Sequence, residues 1–300
     1  MKFDELVELL RTWPYEIFVL ESKEFLLKKD FSEKLKFVFS TICKLLVFCT
    51  KGSKIKNLII KNSPLLLENV LFLTNIKEGD EPELTITMDC IVTEQTLSFI
   101  AQHKFNEKSK FKIEPRNIHL FLETMSPSKA LEYFDGKHAN ILKIDKVTKL
   151  TIENFRDDIS VLTNFLSKFP QVKRLCIRSS VRLRNRISIA LKDVGLNLEY
   201  LDLTCTGLIN KDIIFLGKLV NLRHLILSYM KLKDKGDALK TMMKTLDKLE
   251  IFEAHESKMT EAVICKIEPI CEAHPNFHSL DTLDTYGYAS SEGSDDDAYY

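Results

Sequence analysis

The chain has 300 residues, 45% apolar and 29% charged, with 43 basic residues against 43 acidic ones. That balance gives no overall field toward nucleic acid or acidic membranes, so binding a phosphate backbone would need a local basic patch. Only nine glycines are present, and no G-x-x-x-x-G-K-S/T, G-x-S-x-G, H-E-x-x-H or G-x-G-x-x-G motif occurs, so neither enzymatic activity nor a cofactor is expected.

The first residues, MKFDELVELLRTWPYE, carry acids throughout and lack the apolar run of a secretory signal. Phe3, Leu6, Val7 and Leu10 form a helical stripe, and residues 1–50 read as helices capping the open end of a repeat array. The greasiest stretches, 42–48 and 63–73, are too short or too interrupted to span a bilayer. Seven cysteines, at 43, 49, 90, 176, 205, 265 and 271, make an odd count without a clustered framework. Free thiols in a reducing compartment explain them, which gives a soluble intracellular protein, cytoplasmic or nuclear, with no membrane partner.

Residues 51–146 contain irregular repeat-like units. Ile55, Leu58 and Ile60, then Leu84 with Ile86, then Phe111 with Ile113, fit a strand frame whose key positions 58, 84 and 111 lie 26 and 27 apart. The next interval, 111 to 150, is 39 residues, so an enlarged unit containing SPSKALEYF is expected there. From 147 to 283 the rhythm is regular. Leu198, Leu201 and Leu203 in NLEYLDLTCTGL recur as Leu222, Leu225 and Leu227 in NLRHLILSYMKL. Val147, Leu150 and Ile152, then Val172, Leu175 and Ile177, open earlier units. Leu249, Phe252 and Ala254, then Phe277 and Leu280, open later ones. The starts at 147, 172, 198, 222, 249 and 277 differ by 25, 26, 24, 27 and 28. A chance run of apolar triplets would not keep such even spacing.

Between these strands lie stretches with helical spacing: Ile159, Leu162, Phe165 and Leu166; Ile213, Ile214, Leu216 and Leu219; Ala238, Met242 and Leu246; Ala262, Ile264, Ile267 and Ile270. A strand followed by a helix in every unit implies a parallel sheet with helices on one side. Neither layer buries its apolar face alone, so stacked neighbours supply the core.

At NLEYLDLTCTGL and NLRHLILSYMKL the sequence resembles the leucine-rich-repeat family, in its ribonuclease-inhibitor-like and F-box-associated branches. The resemblance implies an α/β solenoid, a horseshoe with the parallel sheet on its concave face and helices on its convex face. It also implies a scaffold or adaptor that binds a protein ligand. Position nine departs from the family: Thr206, Met230 and Ser257 stand where asparagine or cysteine is usual, so the asparagine ladder bridging neighbouring turns is missing there. The segment WPYEI with FSEKLKFVFSTICK is loosely similar to the start and end of an F-box, through Pro14, Glu16, Ile17, Cys43 and Lys44. A degenerate F-box would make the chain a substrate receptor of a cullin-type ubiquitin ligase, docking a Skp1-like or elongin-like linker. As chemistry alone, the same residues are apolar helix stripes beside a proline at a helix start.

Side chains alternate along a strand, so positions one, four and six point inward and those between face the sheet's open side. This frame places Lys149, Lys173, Arg174, Arg178, Tyr200, Asp202, Arg223, His224, Tyr229, Glu250, Glu253 and His255 on one surface as candidate partner-binding residues. That surface runs from a basic edge, through aromatics, to an acidic edge. Tyr and Arg anchors suit protein recognition; a solvated face is the bland alternative.

Other signals are weaker. Lys173, Arg174, Arg178, Arg182, Arg184, Arg186 and Lys192 form a basic cluster, and the Arg178 to Arg186 stretch gives nucleic-acid binding as an alternative, although no aromatic is interleaved for base stacking. Cys265, Cys271, His274 and His278 follow C-x5-C-x2-H-x3-H, a zinc-like spacing that helix burial and strand alternation explain without metal. From 284 to 300 the pattern dissolves into an acidic stretch expected to be disordered. Within it Ser290, Ser291 and Ser294 precede acids and are candidate phosphorylation sites.

Overall fold

The computed structural model describes residues 8, 12, 17–21, 57–63, 85–102, 111–121, 125, 127–135, 142–180 and 183–281. The strands are β1 (Ile17–Glu21), β2 (Asn57–Ser63), β3 (Thr85–Val92), β4 (Phe111–Ile113), β5 (Asn117–Phe121), β6 (Lys149–Glu153), β7 (Arg174–Arg178), β8 (Tyr200–Asp202), β9 (His224–Ile226), β10 (Ile251–Glu253) and β11 (Ser279–Asp281). The helices are α1 (Glu94–Gln102), α2 (Pro127–Asp135), α3 (Ile159–Ser167), α4 (Ile187–Ala190), α5 (Asn210–Leu216), α6 (Gly236–Met243) and α7 (Glu261–Ala273). The class is α/β. Apart from β4, which pairs β3 off this path, the strands lie side by side in chain order, every pair parallel, and the seven from β5 to β11 alternate with helices in one open sheet. This order is what a repeat-like array produces.

The expected frame sets the register. Leu150 faces Leu175, which faces Leu201, then Leu225, then Phe252, then Leu280. The first five are fully buried, and each buried leucine is stabilised by roughly 1.5–3 kcal/mol relative to exposure. Against this apolar sheet face pack Leu162, Phe165 and Leu166, then Ile213 and Leu216, then Leu239 and Met242, then Val263 and Ile267, all buried in one core. Successive helices also touch one another, so each unit covers its neighbour's exposed face. Ile214 turns outward at 45% exposure, and the buried stripe of α7 is Val263, Ile267 and Cys271, so that of the expected Ala262, Ile264, Ile267 and Ile270 line only Ile267 is fully buried, with Ile270 packed against the core. Spacing of four residues keeps that stripe on one helix face.

Three findings differ from the sequence reading. Residues 17–21, expected within a helical cap, form β1 paired to β2; IFVLE is rich in the β-branched and aromatic types that strands favour. The enlarged unit after 111 holds a further strand, β5, as well as α2. β4 pairs with the first half of β3 and β5 with its end, interrupted at Pro115, which has no N–H for the ladder. Position nine does not lose all bridging: the Ser180 hydroxyl accepts from Phe155 N–H at 3.2 Å and donates to Arg178 carbonyl at 2.9 Å. Ser257 accepts from Met230 N–H at 3.3 Å and donates to Leu227 carbonyl at 2.7 Å. The rest of 1–56 and all of 282–300, including the cap, the F-box-like segment and the three serines, lie outside the described residues.

After each strand the chain turns through one left-handed residue at the same place in every unit: Asn154, Ser179, Cys205, Tyr229 and Glu256, with φ between 50° and 59°. The N–H of each of the first four donates to the next unit, to the carbonyls of Arg178, Thr204, Ser228 and His255 at 2.8–3.1 Å. A left-handed non-glycine costs about 1–2 kcal/mol, and this inter-unit bond offsets part of that cost.

Candidate functional site

The open side of the sheet carries three rows of side chains fixed by the register. The first is Asn117, Lys149, Arg174, Tyr200, His224, Ile251 and Ser279; the second is His119, Thr151, Cys176, Asp202, Ile226 and Glu253; the third begins Glu153 and Arg178. The middle row is largely covered: Thr151, Cys176, Asp202 and Ile226 are buried although they point away from the core.

Strand pairing brings eight of the twelve expected residues onto this face and joins most of them into two networks. In the first, Arg178 Nη2 and Nε reach Asp202 Oδ2 at 2.6 and 2.7 Å, while Asp202 Oδ1 accepts from the N–H and hydroxyl of Thr204 at 3.0 and 2.6 Å. Glu153 links Arg178, at 3.9 Å, to His119, at 3.1 Å. In the second, the Arg174 guanidinium lies 4.1 Å over the Tyr200 ring, whose edge meets His224 with centroids 4.7 Å apart. His224 Nε2 donates to Glu253 Oε1 at 2.6 Å, and His255 stands 3.9 Å from the other oxygen. Part of the basic-to-acidic gradient read from the sequence is therefore compensated across strands, where Arg178 lies between Glu153 and Asp202, while Lys149 and Arg174 have no acid partner among the described residues. Charges of opposite sign sit on adjacent strands, about 4.8 Å apart, and neutralise each other. Burial pushes the Tyr200 hydroxyl up to about 12, so it stays a neutral donor and acceptor. Burial, and then Asp202, raise the Cys176 thiol, so it remains protonated.

Lys173, Arg223 and Glu250 sit elsewhere, at the rim where the strands begin. Lys173 Nζ meets Glu199 at 2.8 Å, Arg223 pairs with Glu250, and Lys248 donates to the Asn221 side chain at 2.7 Å. With Pro170, Gln171 and Asn197, Lys173, Glu199, Asn221, Arg223 and Lys248 line an open groove of about 440 Å³. Sequence reasoning missed a ladder here. Asn197, Asn221 and Asn276, each just before a repeat frame, donate Nδ2 to the previous unit's Pro170, Leu196 and Asp247 carbonyls at 3.1, 2.8 and 2.9 Å. The recurring Asn-Leu, Asn-Leu and Asn-Phe dipeptides were the signal.

Tyr229 is on the opposite rim, 55% exposed in the left-handed turn after β9. Of the basic cluster, Arg178 is held on the sheet face, Arg184 and Arg186 are exposed beyond β7, and Arg182 lies outside the described residues. Cys265 is exposed on α7 whereas Cys271 is buried, and His274 Nε2 bonds the Leu246 carbonyl at 2.9 Å. Among the described residues no group of three His, Cys, Asp or Glu side chains converges on a metal position, and no helix is long and apolar enough to cross a membrane. No known protein-family model matches the chain, and no curated protein is similar to it.

Proposed function

We propose that the chain is a leucine-rich-repeat solenoid of the ribonuclease-inhibitor-like kind, an intracellular, non-enzymatic scaffold or adaptor that binds a protein ligand on its sheet face. The observation that carries this reading is the run Arg174, Tyr200, His224 and Glu253 across four adjacent strands, each side chain held by the next. Side chains fixed before binding lose little entropy on contact, so their burial converts efficiently into affinity. Arg and Tyr are also the types that dominate interface energetics. The periodic leucine frame and the strictly sequential parallel strands support the family assignment.

The test uses the natural chain and an Arg174→Ala/Tyr200→Ala variant as paired baits, with matched circular dichroism. A true ligand is enriched by the first and lost by the second, and its purified complex weakens at least about 30-fold, the loss expected from a residue worth 2 kcal/mol. If every protein retained by one bait is retained equally by the other, the face is a solvated surface.

A further inference from the structure

Parallel strands put all their carboxyl ends on one rim of the sheet, and the charges of that rim are not balanced. Segments 179–186 and 204–211, which follow β7 and β8 and reach the first turn of α5, contain no acid, and they bear the exposed Arg184, Arg186 and Lys211. Two nearby carboxylates are engaged within the chain. Asp202 is held by Arg178, and Asp212, 3% exposed, accepts the backbone N–H groups of Asn185 at 2.6 Å and Ile209 at 3.1 Å. The loop after β9 adds exposed Lys233, beside the exposed Asp234. Arg184, Arg186, Lys211 and Lys233 form no ion pair with the rest of the described chain.

The sequence holds a matching surplus of the other sign. Residues 1–141 have 20 basic and 20 acidic residues, residues 142–281 have 23 against 18, and residues 282–300 have five acids and no base. β11 runs parallel to β10, Asp281 facing Glu253, so the described chain ends at Asp281 on the rim that holds the carboxyl ends of the strands. The loops after β9, β8 and β7 lie two, three and four strands away, or roughly 10–19 Å at the usual strand spacing. Fourteen residues separate Asp281 from Asp295, enough to span about 46–50 Å when extended. Reach is therefore no obstacle.

We propose that this rim is a docking surface for an acidic extended segment and that its occupant is the chain's own segment 282–300, with Asp295, Asp296 and Asp297 set against Arg184, Arg186, Lys211 and Lys233. The contact is independent of what the sheet face binds. It is electrostatic and exposed, so salt weakens it. Phosphate on Ser290, Ser291 or Ser294 would add about −1.5 to −2 charges each and tighten it.

Zero-length carbodiimide cross-linking of the full chain tests this, with isotope-labelled and unlabelled chains mixed so that links within and between molecules differ in mass. The Lys173–Glu199 pair, at 2.8 Å, is the internal positive control. Expected are links from Lys211 or Lys233 to residues 295–297 within one chain. They should fall at least tenfold in 0.5 M salt and in an Arg184→Glu/Arg186→Glu variant. The proposal is overturned if the control pair links while these do not, if residues 295–297 couple equally to lysines all over the molecule, or if the links join different chains. It is also overturned if the links are absent while Arg184 and Arg186 retain a single-stranded oligonucleotide, which would assign the rim to nucleic acid.

Discussion

Replacing Arg178 with alanine tests whether the charges of the sheet face are spent internally. Asp202 is 1% exposed and takes two of its four close contacts from Arg178. Breaking a buried ion pair by removing one partner costs about 3–5 kcal/mol, because the other charge is left uncompensated. The Arg178 side chain is 43% exposed, so water already screens the pair, and the two Thr204 bonds survive. These discounts bring the expected loss for Arg178→Ala to about 2–3 kcal/mol. Asp202→Asn should cost less, about 1 kcal/mol, since the amide is neutral and the half-exposed guanidinium can turn to solvent. The double variant should be no worse than Asp202→Asn alone, giving a coupling of about 2 kcal/mol. Urea denaturation followed by far-UV circular dichroism measures all four proteins. The reasoning is refuted if Arg178→Ala lies within 0.5 kcal/mol of the natural chain, or if Asp202→Asn proves the more damaging change.

Two further outcomes follow from the same packing. Ser257→Ala leaves the buried Met230 N–H without its acceptor and should destabilise by about 1–3 kcal/mol, whereas exposed Ser167→Ala should change stability little; equal midpoints would remove the hydroxyl from the bridging role. Burial raises the Cys271 thiol to about 11, so at pH 8 only about 0.1% is thiolate. Iodoacetamide should therefore label exposed Cys265 well before Cys271 or Cys176, with the Cys271 rate climbing as pH rises toward 11; simultaneous labelling read by mass spectrometry would contradict that burial.

The core was legible because an inward position recurs with almost constant spacing: Leu201, Leu225 and Phe252 lie on adjacent strands where the frame put them. What the frame did not give was how outward side chains meet. Arg178 and Asp202 are 24 residues apart, and His224 and Glu253 are 29 apart, so they become neighbours only through the register. A list of exposed charges therefore reads as a gradient, while the molecule holds pairs. Asp212 was illegible for a similar reason. Nothing in its local sequence shows that its oxygen also satisfies Asn185 of the preceding unit. β5 escaped because Pro115 divides one run of pairing into two short pieces.

Unit lengths vary from 24 to 28 residues from 147 onward, yet the pairing register holds from β6 to β11. Something must hold the ends of each strand while the connecting segments change. Two sets of bonds do so: the asparagine side chains before the frame, and the left-handed turn residues with the position-nine hydroxyls after it. Both lie at the rims and use main-chain partners, so neither constrains the middle of the open face. That division leaves the exposed positions of the outward rows freer to vary than the buried Asp202 and the Arg178 that pairs with it. A residue such as Arg174, exposed and resting on Tyr200, then contributes little to the array's own packing and is available for contact with another molecule. The rows spanning β7 to β10 thus combine a rigid backing with replaceable contacts, which is the physical requirement for a recognition surface.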